Sequence, residues 1–196
     1  MHGRPLIANT PSRSLSVAEH AIAVLTAAAV GAAAGLLAGQ LRLHLGLPGH
    51  KVLFWLTPVL AARLILSGPA GATAGALAAA VATAAVGGNL AGSAVHLPLV
   101  GLAGMILDVT AHVAERRRLA AVWAIPLMGL AGAAANLVCF AKRLLAPWWG
   151  EAGHTLWGVS VAPFSYALFG LLAGLLGATA AWLVLRRARR GTQGTQ

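Results

Sequence analysis

The stretch from Val17 to Gln40 has the sequence VAEHAIAVLTAAAVGAAAGLLAGQ, and it decides the class of this protein. A helix needs about 20 consecutive apolar residues to cross the hydrocarbon core of a bilayer, and this run exceeds that length. It is too long for a cleavable signal peptide, and no small-residue cleavage site follows it. The run therefore predicts a first transmembrane helix.

Five further apolar runs follow, so the sequence predicts an all-α polytopic membrane protein with a bundle of six transmembrane helices. These runs are Val52–Leu66, Ala70–Ala91, Leu97–Ala114, Leu119–Phe140 and Pro163–Leu185. The connections are too short to hold a soluble domain. The expected organisation is an N-terminal tail over residues 1–16, one transmembrane domain over 17–185 and a basic tail over 186–196.

The composition agrees with this class and excludes several others. Hydrophobic residues make up 59% of the chain and charged residues 9%, which excludes disorder. The net charge of +10 does not come from a polar basic face, so a nucleic-acid binder is not expected. The single cysteine, Cys139, excludes a disulfide framework and a thiolate zinc cluster. The sequence contains no hydrolase, metalloprotease or phosphate-loop motif, so no enzyme and no cofactor are expected.

The basic residues predict the orientation, because cytoplasmic loops carry an excess of Lys and Arg. With six spans and both termini in the cytoplasm, ten of the 14 basic residues lie inside. The four expected outside are Arg42, Lys51, Lys142 and Arg143. The expected location is the inner (plasma) membrane.

Small residues recur every four positions in the first span, at Ala23, Ala27 and Gly31. Such a stripe forms a smooth groove that another helix can approach closely. For this span, packing inside the bundle and docking of a separate membrane protein remain equal alternatives. Similar stripes in the third and sixth spans favour internal packing.

Two charged residues are expected within the membrane, Arg63 in the second span and Asp108 in the fourth. An ionised group at that depth must face the interior and find a partner, so the two are expected to pair. A structural ion pair is favoured over a proton or cation relay. His112 follows Asp108 by four residues on the same helix face, which is a weak metal signal.

The connections assigned to the outside carry the candidate binding residues. Trp148, Trp149 and Trp157 lie close together around Glu151 and His154. Aromatic faces with a few convergent polar groups are typical of a small-molecule pocket, whereas an interfacial aromatic belt is the alternative. The full candidate substrate-binding set is Trp55, Asn89, His96, Trp148, Trp149, Glu151, His154 and Trp157.

A transition metal is a competing ligand, because imidazole suits nickel, cobalt, copper and zinc. The histidines expected outside are His44, His50, His96 and His154. Their spacing shows no tight ligand pair, so no metal site is assigned.

The middle of the chain resembles the substrate-binding component (S-component) of energy-coupling factor (ECF) vitamin transporters. The resemblance lies in the segments 53–58 (LFWLTP), 68–72 (GPAGA) and 101–104 (GLAG), the pair Gly87-Gly88, and the later acidic residue Asp108. It covers residues 17–185 in pattern and about 50–110 in detail.

The resemblance implies a protein that captures a vitamin or a metal ion in a pocket closed by the loops after helices one, three and five. It also implies that Ala23, Ala27 and Gly31 dock a membrane coupling protein, which an ATPase pair drives. The high histidine and tryptophan content outside departs from the family pattern. A scaffold subunit of a larger membrane complex, which would bind no ligand, is the alternative from another class.

Overall fold

A computed structural model of the chain describes residues 16–41, 49–88, 97–145 and 156–193. Every regular element in these ranges is an α-helix, and there are six. They are α1 (Val17–Gln40), α2 (Val52–Leu66), α3 (Gly71–Ala85), α4 (Leu97–Arg116), α5 (Ala121–Leu145) and α6 (Leu156–Gln193). The chain is thus a helical membrane protein, since α1, α4, α5 and α6 are long and apolar enough to cross a bilayer.

The other two helices are shorter than the length that a membrane span usually needs. Both α2 and α3 have 15 residues, which corresponds to about 22 Å against a hydrocarbon core of about 30 Å. The third apolar run was expected to continue to Ala91, but α3 ends at Ala85. Gly87 adopts a left-handed conformation with φ +70°, and the Gly88 amide donates to the Thr83 carbonyl at 2.8 Å. This glycine pair ends the helix although the sequence stays apolar.

The last helix is longer than expected at both ends. The run Pro163–Leu185 was predicted to be followed by a tail, whereas α6 continues through the arginines to Gln193. Arginine is a good helix former, and no glycine or proline intervenes before Gly191.

The first helix begins with a capping box. The Glu19 amide donates to Ser16 Oγ at 3.2 Å, and the Ser16 amide donates to Glu19 Oε2 at 2.7 Å. The acidic residue near the start of the first apolar run therefore closes the helix N-terminus, which lies where a helix dipole favours negative charge.

Small residues allow the helices to pack backbone to backbone. A side chain at Gly31 would collide with the Gly75 carbonyl, and one at Gly35 would collide with that of Ala79. These contacts run in the same order along both helices, so α1 and α3 are parallel. In α5 and α6, Gly132 and Gly170 meet in the same close manner. The α2 side chains fill the centre, where Leu56, Leu60 and Leu64 are fully buried.

Contacts across the bundle show that consecutive helices alternate in direction. In α4, Gly101 lies beside Leu77 and Gly104 beside Thr73, so α4 runs antiparallel to α3. In α6, Gly177 lies beside Leu60, while Thr57 Oγ1 donates to the Ala173 carbonyl at 3.4 Å. We call one end of the bundle the loop end; the helix termini there are Gln40, Val52, Ala85, Leu97, Leu145 and Leu156. The opposite end, which carries Arg116–Arg118 and Arg186–Arg190, is called the arginine end.

Candidate functional site

Most of the predicted substrate-binding residues lie outside the described part of the chain. These are Asn89, His96, Trp148, Trp149, Glu151 and His154. Trp157 is in α6, but its side chain is likewise not described. The candidate pocket at the loop end therefore stays a prediction.

Trp55 has a different environment from the one expected for a binding residue. It is 3% exposed and belongs to the main hydrophobic core. Because its position in α2 faces the centre of the bundle, the indole fills space between helices. In this structure it is a core residue, and its assignment to substrate binding stays a prediction.

The small-residue stripe of α1 is covered within the chain. Ala23, Ala27 and Gly31 are all buried. A side chain at Gly68 would approach the Ala23 methyl to 2.8 Å, and one at Gly71 would lie 3.5 Å from the Ala27 methyl. The stripe is thus the surface on which α3 and the turn before it pack, which agrees with packing inside the bundle, and docking of a coupling protein at these residues stays a prediction.

The structure brings together the two charged residues that the sequence analysis paired. Arg63 Nε lies 2.9 Å from Asp108 Oδ1, and the Arg63 side chain is 1% exposed. Such a buried arginine is tolerated only when its charge and its N–H groups are satisfied.

Asp108 also closes the N-terminus of α3. The residue before this helix, Ala70, has φ +60° and no side chain that could cap it. In its place, the Asp108 carboxylate from α4 accepts hydrogen bonds from the Ala72 amide (3.0 Å), the Thr73 amide (2.8 Å) and Thr73 Oγ1 (2.7 Å). The carboxylate therefore replaces the missing cap residue and meets the positive end of the helix dipole.

A third charged residue, Glu115, completes this group. It was not among the predicted partners, because the fourth apolar run ends at Ala114. Arg63 Nη1 donates to Glu115 Oε1 at 2.7 Å, and Nη2 approaches Oε2 at 3.4 Å. Glu115 follows Asp108 by seven residues, about two helical turns, so both project from one face of α4. That spacing was one signal available in the sequence. The other was that a single carboxylate cannot accept all the N–H donors of a buried arginine. We call Arg63, Thr73, Asp108 and Glu115 the ion-pair cluster.

The chemistry of the ion-pair cluster is structural. Both sides of the guanidinium are engaged by carboxylates, and Asp108 accepts four hydrogen bonds. His112, which follows Asp108 by four residues, is exposed. The cluster joins the end of α2, the start of α3 and the second half of α4.

The described residues contain no group of three or more histidine, cysteine or acidic side chains that could hold a metal ion. Of the four histidines named above, only His50 is described, and it packs edge-on against Phe169 with ring centroids 6.4 Å apart. His44, His96 and His154 lie outside the described ranges.

At the loop end, the described residues include a buried aromatic cluster around Tyr166. Phe140 packs on the Tyr166 ring with centroids 5.3 Å apart, and a Cβ at Gly49 would come within 3.0 Å of the same ring. Buried Asn136 donates from Nδ2 to the Tyr166 carbonyl at 2.7 Å. These contacts fix the N-terminal end of α2 and the C-terminal half of α5 against α6.

Comparison with protein-family models, with curated proteins and with solved structures finds no match to this chain. The likeness to the S-component thus depends on the sequence segments quoted above.

Proposed function

We propose that this protein is a membrane uptake component that binds a small vitamin-like molecule at its loop end. In this proposal it works as the S-component of an ECF-type transporter. The sequence contains no nucleotide-binding loop, so a membrane coupling protein and ATPase subunits supply the energy.

One observation carries the proposal. The connections over residues 42–48, 89–96 and 146–155 all join helix termini that lie at the loop end. These three connections contain His44, His96, Trp148, Trp149 and His154, together with an acidic residue and an asparagine. Gly49, which follows the first of these connections, lies against the Tyr166 ring, and aromatic groups with a few polar groups suit a small organic ligand.

The proposal includes six membrane spans, with α2 and α3 crossing as short helices. Ser67 lies ten residues beyond Thr57 in α2, and Trp182 lies nine residues beyond Ala173, the Thr57 partner in α6. The α2–α3 turn is therefore level with Trp182, a residue type that favours the membrane interface. A bilayer thinned around α2 and α3 accommodates their length at modest cost.

The proposed orientation has both termini in the cytoplasm. The arginine end carries Arg116–Arg118 and Arg186–Arg190, and this excess of positive charge favours the cytoplasmic side of an inner membrane. The loop end then faces outward, where an uptake protein meets its ligand.

The test is mass spectrometry of small molecules that co-purify with the chain, followed by titration of the identified compound against tryptophan fluorescence. We expect binding that is lost in Trp148→Phe or Trp157→Phe and kept in the matched control Trp123→Phe. Trp123 is 70% exposed on α5, towards the arginine end. A chain that retains no organic molecule but retains nickel, cobalt or zinc in elemental analysis would replace the vitamin by a metal. A stable complex with other membrane proteins and no ligand at all would support the scaffold alternative.

A further inference from the structure

The arginine end presents six exposed arginines around the point where two helices leave the apolar region. We call these residues the arginine rim; they are Arg116, Arg117, Arg118, Arg186, Arg187 and Arg190. Arg116 ends α4, Arg117 and Arg118 follow it directly, and the others lie on the last turns of α6. Both groups are at the same end because α5, which begins directly after the first group, runs antiparallel to α6.

Aromatic residues mark the depth of this rim relative to the bilayer. Trp182 lies one turn before Arg186, and the Arg186 guanidinium sits 5.1 Å from the Trp182 ring centroid. Exposed Trp123 lies near the start of α5, next to the same part of α6. Tryptophan side chains settle at the headgroup level, so the rim begins where lipid phosphates lie.

The helical extension of α6 has the right length for this layer. From Leu185 to Gln193 the helix rises about 12 Å, whereas the headgroup region on each side of a bilayer is about 5–8 Å thick. The extension is therefore long enough to cross the whole headgroup layer, with arginines on several faces of the helix.

The acidic residues at this end offset only part of the positive charge, because three carboxylates (Glu19, Asp108 and Glu115) face eight arginines, which are the six of the rim together with Arg63 and Arg189. Asp108 and Glu115 bind Arg63, and Glu19 closes the capping box with Ser16. The remaining acidic residue, Glu151, belongs to a connection at the loop end. The rim is thus a positive surface at headgroup depth that still requires anions.

We propose that the arginine rim is a binding surface for anionic phospholipid headgroups, with guanidinium groups of α6 and of the α4–α5 turn holding lipid phosphates. Guanidinium groups bind phosphate through paired N–H donors, and juxtamembrane basic clusters attract anionic lipids. The rim selects lipids by charge. A zwitterionic headgroup gains less binding free energy, because its own cationic group competes with the arginines for its phosphate. This proposal does not depend on the uptake function.

The test uses the full chain, purified in a neutral detergent and titrated with phosphatidylglycerol or phosphatidylcholine, with retained lipids counted by native mass spectrometry. We expect tighter retention of phosphatidylglycerol, and a loss of at least about tenfold in Arg187→Gln/Arg190→Gln, since each arginine contributes about fivefold. The matched control, Lys51→Gln/Lys142→Gln, removes the same charge at the loop end and should leave retention unchanged.

Equal retention of the two lipids, or equal loss in both double variants, would overturn the proposal. Inorganic phosphate added at matched charge should not displace the lipid; displacement would show a phosphate site without a need for the acyl chains. If the rim variant does not fold, the unaltered chain at raised salt gives the same answer. Loss of the lipid preference there supports the rim, and an unchanged preference contradicts it.

Discussion

At the scale of single residues, Asp108 has the largest structural role in the described part of the chain. Its carboxylate neutralises buried Arg63 and also supplies the cap that Ala70 lacks at the start of α3. The ion pair is predictable from the sequence because two opposite charges in apolar runs need each other. The cap is not, since nothing in the sequence shows that the start of α3 faces α4 at this level.

We expect Asp108→Asn to destabilise the protein by about 1–3 kcal/mol, because Arg63 loses one of its two carboxylate partners and the amide cannot accept every donor. The measurement is thermal unfolding in detergent micelles, followed by circular dichroism. Glu115→Gln is the control, because Glu115 is more exposed and contacts only Arg63; its loss should be smaller. Equal losses in the two variants would contradict the capping role.

Thr83 shows how one hydroxyl joins two helices. Its Oγ1 lies 2.8 Å from the Gly35 carbonyl of α1 and 2.7 Å from the Ala79 carbonyl of its own helix. We expect Thr83→Val to cost about 0.6–1.7 kcal/mol of unfolding free energy, because the interhelical bond is lost at constant volume. Thr110→Val is the matched control, since Thr110 Oγ1 donates only within α4, to the Ile106 carbonyl. A control variant as unstable as Thr83→Val would rule out the interhelical contribution.

At the scale of elements, the sequence predicted the helices well and their ends less well. The bounds of α1 and α2 agree with the apolar runs, because polar or turn-forming residues flank both. The ends of α3 and α6 differ for local backbone reasons: the Gly87-Gly88 pair stops α3 within an apolar run, and the arginines prolong α6 within a polar one. Apolar composition locates a helix, but backbone conformation decides where it stops.

Two glycines of α4 face α3, and the space beside them differs: there is no room for a side chain at Gly104, whereas there is room at Gly101. A Cβ at Gly104 would come within 2.5 Å of Thr73 Cα, whereas a Cβ at Gly101 would rest 3.5 Å from Leu77 Cδ2. We expect Gly104→Ala to lower the unfolding free energy by about 1–3 kcal/mol through overpacking. Gly101→Ala should be neutral or should gain up to about 1 kcal/mol from helix propensity.

Thermal unfolding in the same micelles distinguishes the two alanine variants. If both raise the melting temperature, α4 does not approach α3 as closely as the contacts at Gly104 require. Because the two positions are one turn apart on the same helix, a difference between them reports the local contact and not a general effect of alanine.

At the scale of the whole molecule, alternating helices separate two chemically different ends. Most of the arginines lie at one end, and the connections with histidine and tryptophan leave from the other. This separation can be predicted from the sequence, because counting the apolar runs assigns each connection to one of the two ends. The pairing of helices does not, because stripes such as Ala23, Ala27 and Gly31 fit α3 and a foreign helix equally well.

The proposed six spans predict which residues a membrane-impermeant thiol reagent reaches. In a Cys139→Ala background, we expect Ser67→Cys and Gly191→Cys to be labelled from one side of the membrane and Ala152→Cys from the other. The measurement is mass-shift labelling in oriented vesicles. If Ser67→Cys is protected from both sides while Gly191→Cys is labelled, α2 and α3 form a re-entrant hairpin. Gly191→Cys and Ala152→Cys labelled from one side would end the uptake proposal.

The origin of the α3 cap in a later helix has a consequence for biosynthesis. Arg63 leaves the ribosome 45 residues before Asp108, and the open amides of Ala72 and Thr73 precede it by 36 and 35. A nascent chain that ends after α3 thus presents a lone cation and a bare helix start to the lipid. We expect the α2–α3 hairpin to reach its final stability only after α4 has been translated and its carboxylate has joined Arg63 and the start of α3.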